Sequence, residues 1–307
     1  MPTVKKIICG EVAVTIAVCY LSPEGIVLGA DSTTSNFGPS GMHYFNFNQK
    51  LFELGQGSTL GVLTWGLSSL GPLSYRTIMA RVADGFQASP PASVQAAADA
   101  FIDVFWCEFD AYPLVQRVRA LNSRQPFGSA PQAFGVRSEA EEREFDSLKS
   151  ALAVGFCIAG YVLPNRAPSA VSVLFDPLAN TKPTSQSTPG EGSQWWGVPN
   201  IVSRLIHGAD VNLKNAILAS GKWSGTSQEL DQVVATQSLT SASLPIRDAI
   251  DYVYSCIHCT IKALKFSSLP QVCGGPIELA VITTDRKFRW VRHKPFDAAI
   301  NDGDCND

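Results

Sequence analysis

Three side chains near the N-terminal end of the sequence have the types needed to activate a hydroxyl: Thr15, Asp31 and Lys50. A threonine hydroxyl is a weak nucleophile at its free pKa. It becomes useful with a base, typically its own α-amino group, and a neighbouring positive charge. The run Val14 to Leu21 is apolar or small on both alternating faces, Val14/Ile16/Val18/Tyr20 on one and Thr15/Ala17/Cys19/Leu21 on the other. That pattern predicts a strand covered on both sides. Ser22-Pro23-Glu24-Gly25 is turn chemistry, and Ile26 to Ala30 reads as a second buried strand ending on Asp31, so the two form a hairpin. Asp31 then returns beside Thr15, where a carboxylate can organise a cation. Lys50, opening the predicted strand Lys50 to Leu54, is the nearest candidate.

The run Thr15-Ile16, Glu24-Gly25-Ile26-Val27-Leu28-Gly29-Ala30-Asp31, then Lys50 and Thr64-Trp65-Gly66 before a helix, resembles the proteasome-type N-terminal-nucleophile hydrolases. In that family an N-terminal threonine is the nucleophile, an aspartate follows sixteen residues later and a lysine lies on the next strand. A glycine before the first helix lends its N–H to the oxyanion. The resemblance carries these roles onto Thr15, Asp31, Lys50 and Gly66. A second match runs from Ile246 to Phe266 and on through Cys273-Gly274-Gly275-Pro276-Ile277-Glu278-Leu279-Ala280-Val281-Ile282, similar to the family's last long helix, glycine pair and final strand.

The resemblance implies an α+β fold, a four-layer αββα sandwich. It divides the chain into an N-terminal extension or propeptide at 1–14, one domain over 15–297 with insertions near 122–145 and 177–195, and a C-terminal tail at 298–307. It also implies a peptide or small amide substrate and homo-oligomeric assembly. Lys50→Ala is expected to abolish hydrolysis and leave the fold intact. Several positions depart from the family pattern. Val14 stands where self-cleavage usually follows a glycine. If Ser22 is an insertion in the turn, Val14 and not Thr15 occupies the nucleophile's place. Thr33 replaces an arginine, Ser35 a threonine whose backbone holds substrate, and Trp195-Trp196-Gly197-Val198 lacks the serine that supports the threonine amine. Pro270 and Cys273 stand for an aspartate and a serine. These departures keep a second reading open, a catalytically inactive structural or binding subunit. A third uses Cys19 or Cys9 as the nucleophile of another amidase.

The rest of the chain supplies elements to hold these groups. Leu73 to Phe86 and a segment capped by Ser93 read as helices with one apolar face, as does Leu244 to Phe266 with Pro245 in its first turn. Ala153 to Tyr161 resembles the family's first strand of the second sheet half, and Ala170 to Asp176 is expected to pair with it. Asn36 to Asn48 reads as a loop, and Asn122 to Glu144 as a surface insertion, partly disordered. The adjacent Trp195 and Trp196 are assigned to packing rather than to ligand stacking.

Net charge is −3, from 24 basic and 27 acidic residues, which leaves no footprint for nucleic acid or an anionic membrane. Arg286, Lys287, Arg289, Arg292, His293 and Lys294 on an alternating terminal strand read as a solvated face. The eight cysteines lack metal or framework spacing. No signal-type apolar stretch precedes a cleavage site, and no run approaches the ~20 residues of a membrane helix. The reading is a cytoplasmic protein with no cofactor and no metal.

Overall fold

The computed structural model describes residues 15–38, 41–129, 135–188, 190–239, 243–269 and 271–294, with backbone alone for 35–44. The expected extension 1–14, the tail 298–307 and Pro270 lie outside the described residues. Five strands, β1 (Ile16–Ser22), β2 (Gly25–Ala30), β10 (Gly192–Gly197), β11 (Glu278–Thr283) and β12 (Arg286–Arg292), form one antiparallel sheet in the order β10-β1-β2-β11-β12. A second antiparallel sheet has the order β5-β6-β7-β8-β9, from β5 (Leu51–Glu53), β6 (Leu60–Gly66), β7 (Val154–Gly160), β8 (Ser169–Phe175) and β9 (Gln186–Ser187).

The double-faced strands behave as their period-2 pattern requires. Along β1, Ile16, Val18 and Tyr20 pack against helix α8 (Ile246–Lys265), while Cys19 and Leu21 join Leu63, Cys157 and Ala159 of the second sheet in a shared core. The outer face of the second sheet carries α1 (Tyr75–Ala88), α2 (Val94–Asp110), α3 (Pro113–Asn122) and α4 (Glu139–Ala151) over an aromatic cluster of Phe101, Phe105, Phe109, Phe156 and Phe175. Val202 of α5 (Asn200–His207) extends the α8 core. Two further helices follow, α6 (Val211–Ala219) and α7 (Ser227–Ala235).

Both expected hairpins form. Ser22 pairs with Gly25 across Pro23-Glu24, and the ladder runs without a register shift to Ala17 opposite Ala30. Ser93 caps α2 as expected, accepting from Ala96 N. Two local readings change. The segment read as a loop contains a hairpin, β3 (Thr34–Gly38) with β4 (Gly41–Phe45), in which Ser35 pairs with Tyr44. The charged stretch after Ser138 is the first part of α4: Ser138 and Glu141 form a reciprocal capping box, and Phe145 is buried. Charge there marks a solvated helix face, not loss of structure.

Candidate active site

The site is built where the open end of the β1-β2 hairpin meets the second sheet. Beyond the last ladder pair, Asp31 N donates to Ile16 O at 3.2 Å, which carries the register on to Thr15. Ile16 N returns a bond to Asp31 Oδ1 at 3.1 Å. Thr15 is buried, and its carbonyl accepts from Val198 N at 2.8 Å. Its place in the alternation is that of Cys19 and Leu21, the face that meets the second sheet, whereas Ile16 turns toward α8.

Lys50 comes from that second sheet, one residue before β5. Its Nζ donates to Asp31 Oδ1 at 2.8 Å and to Thr33 O at 2.5 Å. The pair is almost fully enclosed, with side-chain exposures of 5% and 0%. Asp31 Oδ2 takes Thr33 N at 3.1 Å and Gly274 N at 2.9 Å, so each carboxylate oxygen receives two donors. A buried ion pair is tolerable only with such saturation, because taking the two charges out of water costs several kcal/mol per ion. Lys50 O in turn accepts from Thr64 N at 2.9 Å, which ties the lysine to β6 and thus to Gly66.

Gly66 ends β6 with φ +87°, and a Cβ there would sit 2.2 Å from Ala153 O. The conformation and the close approach both require glycine. Leu67, the next residue, is held by Tyr75, whose hydroxyl donates to Leu67 O at 2.7 Å. Gly197 has the same necessity on the other side: at φ +86° it lets β10 pass within contact of Thr15 O, where a Cβ would fall 1.9 Å away. Asp31 and Lys50 are thus in direct contact, Thr15 is joined to Asp31 through the next peptide, and Gly66 is joined to Lys50 through β6.

Cys273 is fully buried beside this pair. Burial pushes its thiol well up, and the Asp31 charge adds to the rise. Trp196 stacks on Trp65 with ring centroids 4.7 Å apart and planes 10° from parallel, while Trp195 packs on His207. The two adjacent tryptophans therefore serve opposite faces of β10, both in packing.

The terminal basic strand departs from the expectation of a solvated face. The Lys294 side chain is only 8% exposed and donates to Ser32 Oγ at 2.9 Å and Asn48 O at 2.7 Å, and it lies 3.2 Å from the Glu278 carboxylate. His293 Nδ1 meets the other Glu278 oxygen at 2.9 Å. Nothing local in the sequence separates these two residues from Arg286 or Lys287, which stay exposed. The available signal was Glu278 itself, a carboxylate heading an apolar strand. Among the described residues no His/Cys/Asp/Glu cluster could hold a metal ion.

Solved structures similar to this chain include two described as Anbu. Anbu (Gly-1) mutant from Hyphomicrobium sp. strain MC1 is 12% identical, with 94% of this chain and 91% of that one aligned at a TM-score of 0.46. Anbu (ancestral beta-subunit) from Yersinia bercovieri is 13% identical, with 94% and 92% aligned at 0.44. At this identity and TM-score the likeness carries neither fold nor chemistry across. No family model matches the sequence, and no curated protein matches it.

Proposed function

We propose that this chain is a proteasome-type N-terminal-nucleophile hydrolase subunit, built as a four-layer αββα sandwich, that uses Thr15 to cleave peptide or small amide bonds. The observation that carries this reading is the enclosed Asp31–Lys50 ion pair at the strand end that holds Thr15. A charged pair of this kind is costly to bury, and activation of a neighbouring hydroxyl is a use that matches its position.

In the proposed reaction the peptide bond between Val14 and Thr15 is cut first, which frees the Thr15 α-amine. Thr15 Oγ then attacks the carbonyl carbon of a substrate amide, and its proton passes to that amine. The Lys50 ammonium, oriented by Asp31, favours the developing alkoxide. Gly66 N–H is the donor assigned to the oxyanion of the tetrahedral intermediate. Collapse expels the amine half, which takes the proton, and water hydrolyses the resulting Thr15 ester. The setting is a homo-oligomer in a reducing cytoplasm, with the free cysteines Cys19, Cys107, Cys157, Cys256, Cys259 and Cys273 in support of the compartment. Among the described residues no helix is long and apolar enough to cross a membrane.

Intact mass and N-terminal sequencing of the purified protein test the proposal. Loss of 1–14, leaving Thr15 first, is the expected result, with native mass spectrometry reporting a multiple of the subunit mass. A chain that keeps those residues favours the inactive-subunit reading. That reading draws on Val14, Pro270 and the missing serine in the segment from Trp195 to Asn200, which depart from the family pattern.

A further inference from the structure

The catalytic proposal uses Asp31 and Lys50 but leaves a second buried charge pair behind them unexplained. Glu278 is completely buried at the head of β11, and Lys294 is almost so, just beyond the end of β12. Their sequence neighbours on β12 are exposed basic residues, so burial of Lys294 is specific to its position. Its ammonium reaches two turns at once. Ser32 immediately follows Asp31, and Asn48 lies two residues before Lys50; Lys294 bonds to the hydroxyl of the first and the carbonyl of the second. The same two residues are joined by a single backbone bond, Asn48 N to Ser32 O at 3.0 Å. Ser32 Oγ donates a hydrogen bond to Pro276 O at 2.6 Å, which links the cluster to the glycine-pair loop that holds Asp31 through Gly274.

We infer that Lys294, held by Glu278, is a positioning residue that clamps the Asp31 turn to the Lys50 turn and so sets the geometry of the Asp31–Lys50 pair. The turns belong to different sheets, and a point charge with three donors bridges them on the side away from Lys50, adding to the Asn48–Ser32 amide bond and to the bonds from Lys50 to Asp31 and Thr33. Burial pulls the Lys294 ammonium below the ordinary lysine range, the Glu278 carboxylate opposes that pull, and Lys50 adds to it. Glu278 is therefore the group that keeps the clamp charged, with His293 on its other oxygen.

The inference rests on the hydrolase reading for its catalytic consequence, and its structural content is measured separately. Removing one partner alone would leave a buried charge unpaired, so the test uses the double variant K294M/E278Q. Folding is checked by circular dichroism. Two readouts follow: release of 1–14 from the pulse-labelled full chain, and the 15N spectrum of the lysine ammonium groups, with the Lys50 signal assigned by its loss in Lys50→Arg. The folded double variant should release the segment about 10- to 100-fold more slowly, and the protected Lys50 signal should disappear. A Lys50 signal unchanged in the folded variant overturns the inference. If the wild-type chain releases nothing but its Lys50 signal is protected and lost in the double variant, the hydrolase reading fails and the clamp stands. If the double variant does not fold, S32A decides. It removes one acceptor and no charge, so release should slow about fivefold with a broadened Lys50 signal, and no change in either refutes the clamp.

Discussion

At the scale of single residues, the Asp31–Lys50 pair is both the proposed chemistry and a structural liability. The expectation that Lys50→Ala spares the fold does not survive the burial of its partner: Asp31 is fully enclosed, and losing Lys50 strands its charge. Lys50→Ala should destabilise the protein by about 3–5 kcal/mol, and the double variant D31N/K50M by clearly less. Urea unfolding of the single and double variants measures both, and equal losses would show that the pair is not electrostatically coupled. Removal of hydrolysis therefore has to be tested in the double variant as well as in Lys50→Ala. Buried phenols make the second residue-scale prediction. Tyr20, Tyr75 and Tyr252 are all raised above the ordinary 10.0, in each case first by burial. The folded protein thus retains protons that the unfolded chain gives up. Their contribution to stability is fully present below pH 10.0 and drains away as pH rises through the higher folded values. Absorbance at 295 nm should show fewer than all seven tyrosines ionising before unfolding, and Tyr75→Phe should flatten the alkaline loss of stability.

At the scale of elements, the turn at Gly66 is the joint between β6 and the segment leading to α1. Its positive φ and its contact with Ala153 O leave no room for a side chain. Gly66→Ala should cost ~3 kcal/mol, the sum of a left-handed backbone penalty and local overpacking. A thermal scan reads this directly, and a melting temperature equal to wild type would mean the turn relaxes without strain. Tyr75, at the start of α1, holds the next carbonyl, so the helix and the turn form one unit. The capping box of α4 shows the opposite case, where the motif was written out locally as Ser138 and Glu141 but was masked by the surrounding charge.

For the whole molecule, the two sheets enclose a shared core that hides thiols from solvent. Cys19 and Cys157 are buried there and Cys256 and Cys273 in the core under α8, whereas Cys107 and Cys259 are exposed. Burial pushes the Cys256 thiol up to about 11, and the hydrogen bond with Cys19, with burial added to it, raises Cys157. Because the thiolate is the reactive species, maleimide at neutral pH should label Cys107 and Cys259 and spare the four buried thiols until denaturant is added. Peptide mapping by mass spectrometry checks this. Rapid native labelling of Cys273 would show that the loop beside Asp31 opens in solution.

The sequence by itself determined the elements and the chemically capable residues. Apolar positions on both faces of Val14 to Leu21 required a strand covered on two sides, and the Ser22 to Gly25 turn required a hairpin that returns Asp31 to the start of β1. Periodicity and turn chemistry are local, and local information is written in neighbouring residues. Only the tertiary structure decided which charges leave water. Lys50 and Asp31 meet across two sheets, Gly274 reaches Asp31 from far along the chain, and the Lys294 side chain is enclosed on Glu278 while Arg286 and Lys287, on the preceding strand, stay exposed. The physical reason is that a lysine's burial depends on the carboxylates and carbonyls that long-range packing brings to it, and no local pattern encodes those partners.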